Sequence, residues 1–136
     1  PVALAADGTL ILGADAGVDH VGVFNGVRFV DAEGQQQFKS YWLSGTVATE
    51  IEANVFDDPT TYFSIQATTA AQADVGDVHD LTIVAGDPAT GVSRTVLNQA
   101  AAVGGAYRIE AISKVADNEE GAYCDVIVST VKHARS

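Results

Sequence analysis

The stretch Ala53-Asn-Val-Phe-Asp-Asp-Pro-Thr-Thr-Tyr-Phe-Ser-Ile-Gln-Ala67 joins two alternating apolar runs through an acidic proline turn. Ala53 and Val55 face one way and Asn54 and Phe56 the other. Asp57-Asp58-Pro59 interrupts the run, and Phe63, Ile65 and Ala67 resume the period of two expected of a half-buried strand. Aspartate side chains fold back onto nearby amides and proline fixes φ, so the turn needs no substrate to explain it. The stretch reads as structural β.

The same punctuation continues on both sides. From His20 onward, turn signals recur at Asn25-Gly26, Glu33-Gly34, Ser44-Gly45, Gly86-Asp-Pro88, Thr90-Gly91, Gly104-Gly105 and Asp117-Asn-Glu-Glu-Gly121. Strands are expected between them at 21–24, 27–30, 37–43, 50–56, 62–67, 80–85, 93–97, 107–115 and 122–132. That density of short strands predicts an all-β chain, an antiparallel sandwich or barrel. The clearest hairpin is the last. Tyr107, Ile109, Ala111, Ser113 and Val115 share one face, and Cys124, Val126, Val128 and Thr130 share a face of the returning strand. The other face of that strand carries Ile127 and Val131, so it is apolar on both sides and has a second surface to cover. Residues 70–78 and 98–103 allow short helical pieces but lack an amphipathic stripe over three turns.

Residues 1–19 are rich in Ala, Gly and Asp around Thr9-Leu-Ile-Leu12. Their glycines disfavour a helix. Two readings remain: an extended N-terminal arm that docks Leu4, Leu10, Ile11 and Leu12 on a neighbour, or a first strand and loop of the same domain. With residues 20–136 as a single β-rich domain, no linker or repeat marks a further one.

A chain of 136 residues is long enough to bury a core without a staple, and Cys124, the one cysteine, excludes an internal disulfide and multi-cysteine metal sites. Eighteen acidic against seven basic residues give net charge −11, a field that repels phosphate backbones and anionic lipid. Neither nucleic acid nor membrane is expected as a direct partner. There is no apolar run near the roughly 20 residues that span a bilayer and no basic leader region, so the sequence predicts a soluble, non-exported protein. The absence of methionine fits removal of an initiator ahead of Pro1.

Catalytic patterns are missing: no Gly-x-Ser-x-Gly, phosphate loop, His-Glu-x-x-His or dinucleotide fingerprint occurs, and His20, His79 and His133 lie far apart. No enzyme and no cofactor is expected. Asp74-Val-Gly-Asp-Val-His-Asp80 places three carboxylates and an imidazole together, but without the alternating spacing and distant glutamate of a calcium loop, and it reads as a polar connection. Trp42 is expected in the core. Tyr41 beside it could serve an interface or stack on a sugar, and Arg94 could pair with a neighbour's carboxylate.

The ordered series Gly22-Val-Phe-Asn-Gly-Val-Arg-Phe29, Phe38-Lys-Ser-Tyr-Trp42, Ala53-Asn-Val-Phe-Asp-Asp-Pro59, Phe63-Ser-Ile-Gln-Ala67, Ala73-Asp-Val-Gly76, Thr90-Gly-Val-Ser93, Arg108-Ile-Glu-Ala-Ile-Ser113 and Asp117-Asn-Glu-Glu-Gly-Ala122 resembles small virion proteins of tailed bacteriophages encoded near the major capsid protein. The resemblance covers roughly residues 20 to 133 and implies a capsid decoration, or cement, protein. Such a protein would bind the outer face of the head, commonly as a homotrimer, with the major capsid protein as its partner. It would pass through the host cytoplasm during assembly. It implies no catalytic residues and assigns no contact residue. A carbohydrate- or receptor-binding virion module, or a tail or connector component, would suit the same β architecture.

Overall fold

Every second residue from Cys124 to Val128 is buried, and so are Tyr107 and Ile109 on the strand beside it, the period that a pleated strand with one covered face produces. The computed structural model describes residues 1–7, 9–13, 20–99 and 105–131. Its strands are β1 (Val2–Leu4), β2 (Leu10–Leu12), β3 (Val23–Asp31), β4 (Gln36–Lys39), β5 (Ala48–Phe56), β6 (Tyr62–Gln66), β7 (Thr69–Ala70), β8 (Val78–Thr82), β9 (Val96–Asn98), β10 (Tyr107–Ile112), β11 (Gly121–Ala122) and β12 (Asp125–Thr130). A single 3-10 turn, Gln72–Asp74, is the one helical element among the described residues. The chain is all-β and antiparallel in its sheets, as its alternation predicts.

The main sheet has the order β6-β12-β10-β8-β9. It curls until its two edges meet at one parallel bridge, Ala67 to Leu97, where the Thr68 amide donates to the Leu97 carbonyl at 2.9 Å. Ala67, Leu97, Ile109 and Val126 are fully buried inside the curl, with Leu81 and Val128 beside them. Burying each of the larger side chains contributes about 1.5–3 kcal/mol. The expected last hairpin is present as β10 and β12, with one irregularity. Glu110 is an extra residue between the pairs Ile109–Val128 and Ala111–Ile127, so the bulge turns Ile112 rather than Ala111 toward the core. Cys124 lies in the same core, its thiol 3.7 Å from the Ala70 carbonyl.

The second sheet, β4-β3-β5, departs from expectation at Asn25-Gly26. The chain does not turn there; β3 runs straight through, with a bulge between Phe24–Val55 and Val27–Ala53. Gly26 takes φ +121° at that point, and a Cβ would stand 3.1 Å from the Lys39 carbonyl. An Asn-Gly pair supplies positive φ to a bulge as readily as to a hairpin, and partners on both sides of β3 hold the strand continuous. A second bulge sets Glu50 at φ +52°. The β3–β4 turn is fixed by Asp31, whose carboxylate accepts from the Gln35 amide, the Gln37 side chain and the Glu33 amide, holding its pKa below the ordinary value.

Residues 53–67 are thus split between two sheets: β5 closes the second and β6 edges the first. The Asp58 carboxylate accepts from the Thr60 amide (2.8 Å) and hydroxyl (2.7 Å), making the crossing an aspartate-capped turn. β1 and β2 pair antiparallel and are joined to the rest by the Val2–Gly22 bridge, with Val2 and Ala3 buried. Residues 14–19 and the last part of the 98–103 segment lie outside the described residues.

Candidate functional site

The side chains placed by sequence as docking candidates fall on three elements. Leu4, Leu10, Ile11 and Leu12 gather on the β1–β2 hairpin, where Leu10 is half-buried and Leu12 is 66% exposed. Tyr41 and Arg94 share a second region. The loop 86–92 folds against Tyr41 so closely that a Cβ on Gly91, at φ +72°, would sit 2.2 Å from the ring. Arg94 reaches back to Asp87 in that loop at 3.5 Å. The Tyr41 ring is half-buried, with Gly91 against it and the Lys39 ammonium 5.9 Å from its centroid. Ile127 is half-buried on the outer side of β12 between its register partners Ser64 and Ala111, and Val131, just past the strand, is 41% exposed.

Trp42 is not a core residue. It is 38% exposed and meets Phe29 edge-on, ring centroids 5.3 Å apart. The chain leaves β4 at Lys39, and the indole lies at the margin of the sheet, against the buried Phe29, rather than within the core. Also exposed are apolar residues that sequence reading passed over: Phe38 (72%), Val47 (74%), Ile51 and Phe56. Phe38 stands in a cross-strand row with Arg28 and Glu52, which form an ion pair on open surface. Exposed pairs of that kind contribute under about 1 kcal/mol. Alternation in 48–56 marks the strand, but nothing local says whether a layer covers it.

A cleft of about 580 Å³ opens where the main sheet's edges part, floored by Leu81, Tyr107 and Val128 and walled by Phe63, Ile65 and Val96, with Arg94 and Pro1 also lining it. The root of the hairpin and Arg94 therefore border one recess, a juxtaposition that sequence could not give.

Inside the curl, His20 and Tyr107 are buried together, His20 Nδ1 lying 3.0 Å from the Tyr107 hydroxyl. Burial pushes the Tyr107 phenol up to about 12. His79, register partner of Tyr107, is buried with neither ring nitrogen hydrogen-bonded among the described residues, and one carboxylate oxygen of Asp80 is likewise without a partner there. The Asp74–Asp80 segment serves the fold. Asp74 accepts from the Ala71 amide at 2.8 Å and from the Gln99 side chain, while Gly76 and Asp77 exchange backbone bonds with Ile109. Its acidic groups do not converge: no cluster of three or more metal-ligating side chains occurs among the described residues.

No family model, curated protein or solved structure matches the chain.

Proposed function

We propose that this chain is a structural docking protein and, given the resemblance of its ordered segments to phage virion proteins, a capsid decoration protein. In this reading it attaches to the major capsid protein on the outer surface of a tailed-phage head, as a homotrimer. The observation that carries the docking part is the exposure of large apolar side chains on two thin elements, the β1–β2 hairpin and the β4-β3-β5 sheet. Leu12 and Phe38, and Val47 immediately before β5, are each more than 60% exposed. Side chains of this size gain about 25 cal/mol per Å² when association removes them from water. Trimerisation supports attachment further, because once one subunit docks the others bind at high effective concentration.

Purified particles carrying the gene test this directly. The chain should be present in a fixed ratio to the major capsid protein and should lie on the outer surface in a particle map. The double substitution Ile11→Asp, Leu12→Asp, on side chains that are 49% and 66% exposed, should leave the melting temperature within a few degrees and abolish attachment. A chain absent from particles, or located only in the tail, refutes the decoration reading.

A further inference from the structure

The geometry points to the open seam between β6 and β9 as the receptor for one extended strand of a protein partner, apolar at alternate positions and carrying a carboxylate where it passes Arg94. This goes beyond the decoration reading and requires no capsid.

One wall of the cleft is the edge of β6; the other is the irregular segment 93–95, which runs into β9 at Val96. Among the described residues β6 is paired only with β12, and β9 only with β8, apart from the bridge at Ala67 and Leu97. That bridge is parallel, so residues 63–66 and 93–96 approach it from the same direction. Over those residues no backbone hydrogen bond joins the two walls among the described residues. Residues 63–66 and 93–96 all line the intervening cleft. The sheet is zipped at one end and splayed at the other. A strand rises about 3.3 Å per residue, so residues 63–66 and 93–96 match the length of one extended segment of some four residues, taken up by main-chain bonds to the β6 edge and to the backbone of 93–96.

The floor and walls specify what that strand carries. Phe63, Ile65, Leu81, Val96 and Val128 offer apolar surface to the side chains pointing inward, which in a strand are every second one. Among the described residues no carboxylate lines the cleft, although the chain has 18 acidic residues, and Arg94 is the one charged side chain there. Its pairing with Asp87 is long, at 3.5 Å, and the guanidinium side chain is 60% exposed, so it can turn to an incoming carboxylate at little cost. The overall charge of −11 sets the limit in the other direction: it opposes an acid-rich tail, leaving a mostly apolar strand with a single acid as the better match. A small molecule could fill the apolar floor, but only a polypeptide also satisfies the backbone groups along both walls.

The test uses the intact chain and three capped peptides: Thr-Val-Glu-Val-Thr-Val-Thr, the same peptide with Lys in place of Glu, and the same with Pro in place of two Val residues. Amide hydrogen exchange and a binding titration are read together. The Glu peptide should slow exchange in 63–66 and 93–96 at once and bind at least about tenfold more tightly than the Lys peptide, with the Pro peptide inactive. Arg94→Ala should erase the Glu-over-Lys preference while keeping the protection. Protection of one wall only, equal affinity of the Glu and Lys peptides for the unaltered chain, or no binding by any of them overturns the proposal. Protection that rises with protein concentration in the absence of peptide also overturns it, since a second copy of the chain would then occupy the seam.

Discussion

Replacing Tyr107 by Phe removes one oxygen from the most polar part of the core, and its effect should change sign with pH. At neutral pH the variant loses the 3.0 Å contact between the phenol and His20 Nδ1, both buried. The cost should be about 1 kcal/mol, within the range of a single buried hydrogen bond. In alkali the unaltered protein carries a liability that the variant lacks. Burial raises the Tyr107 phenol to about 12 against an ordinary 10, so the folded state favours the neutral phenol. The stability tied to that preference is fully present below pH 10 and is lost between 10 and 12. Two pH units correspond to about 2.7 kcal/mol. The unaltered chain, more stable near pH 8, should therefore become the less stable of the two as pH approaches 12. Urea unfolding of both proteins at half-unit steps from pH 8 to 12 measures this, because changes common to the two cancel in their difference. Curves that stay parallel across that range would refute the reasoning and mean that Tyr107 titrates alike in the folded and unfolded chains.

Two other substitutions probe how the parts are joined. Gly22→Ala should destabilise by roughly 3 kcal/mol or more, because its Cβ would stand 1.9 Å from the Phe56 carbonyl oxygen, a backbone atom that cannot swing aside. A loss under about 1 kcal/mol in chemical denaturation would mean that β5 does not press on the chain there. His79→Leu should raise stability by about 1 kcal/mol, since it replaces a buried ring with no hydrogen-bonded nitrogen among the described residues by an apolar group of similar bulk. His79→Ala should lower it by about 2 kcal/mol through the cavity left behind. A destabilised Leu variant, seen as a lower melting temperature, would show that the imidazole has a polar partner in solution.

The strands were legible in the sequence because alternation is a local property. Cys124, Val126 and Val128 against Asp125 and Ser129, or Phe63 and Ile65 against Ser64 and Gln66, declare a pleated strand with one covered face wherever it is placed. The aspartate turn at 57–61 was legible for the same reason, since Asp58 caps amides two and three residues away. Asn25-Gly26 was not. Positive φ is all that the dipeptide contributes, and pairing of β3 on both sides with β4 and β5 made it a bulge rather than a turn.

Nor could the sequence allot strands to sheets or say which apolar faces would stay open. Adjacent runs 48–56 and 62–66 enter different sheets, and β6 closes on β9, some thirty residues later, through one bridge at Ala67. Trp42 and Phe38 have the hydrophobicity of core residues, but hydrophobicity favours burial without supplying the layer that performs it. Leu4, Ile11 and Leu12 were candidates for docking from composition; their grouping on a hairpin anchored at Gly22 is a tertiary fact. Local chemistry set the strands, turns and acidic charge of this protein. The splayed seam beside Arg94 and the exposed small sheet were decided by long-range pairing, because only the completed hydrogen-bond ladder determines which edges and faces are left without a partner.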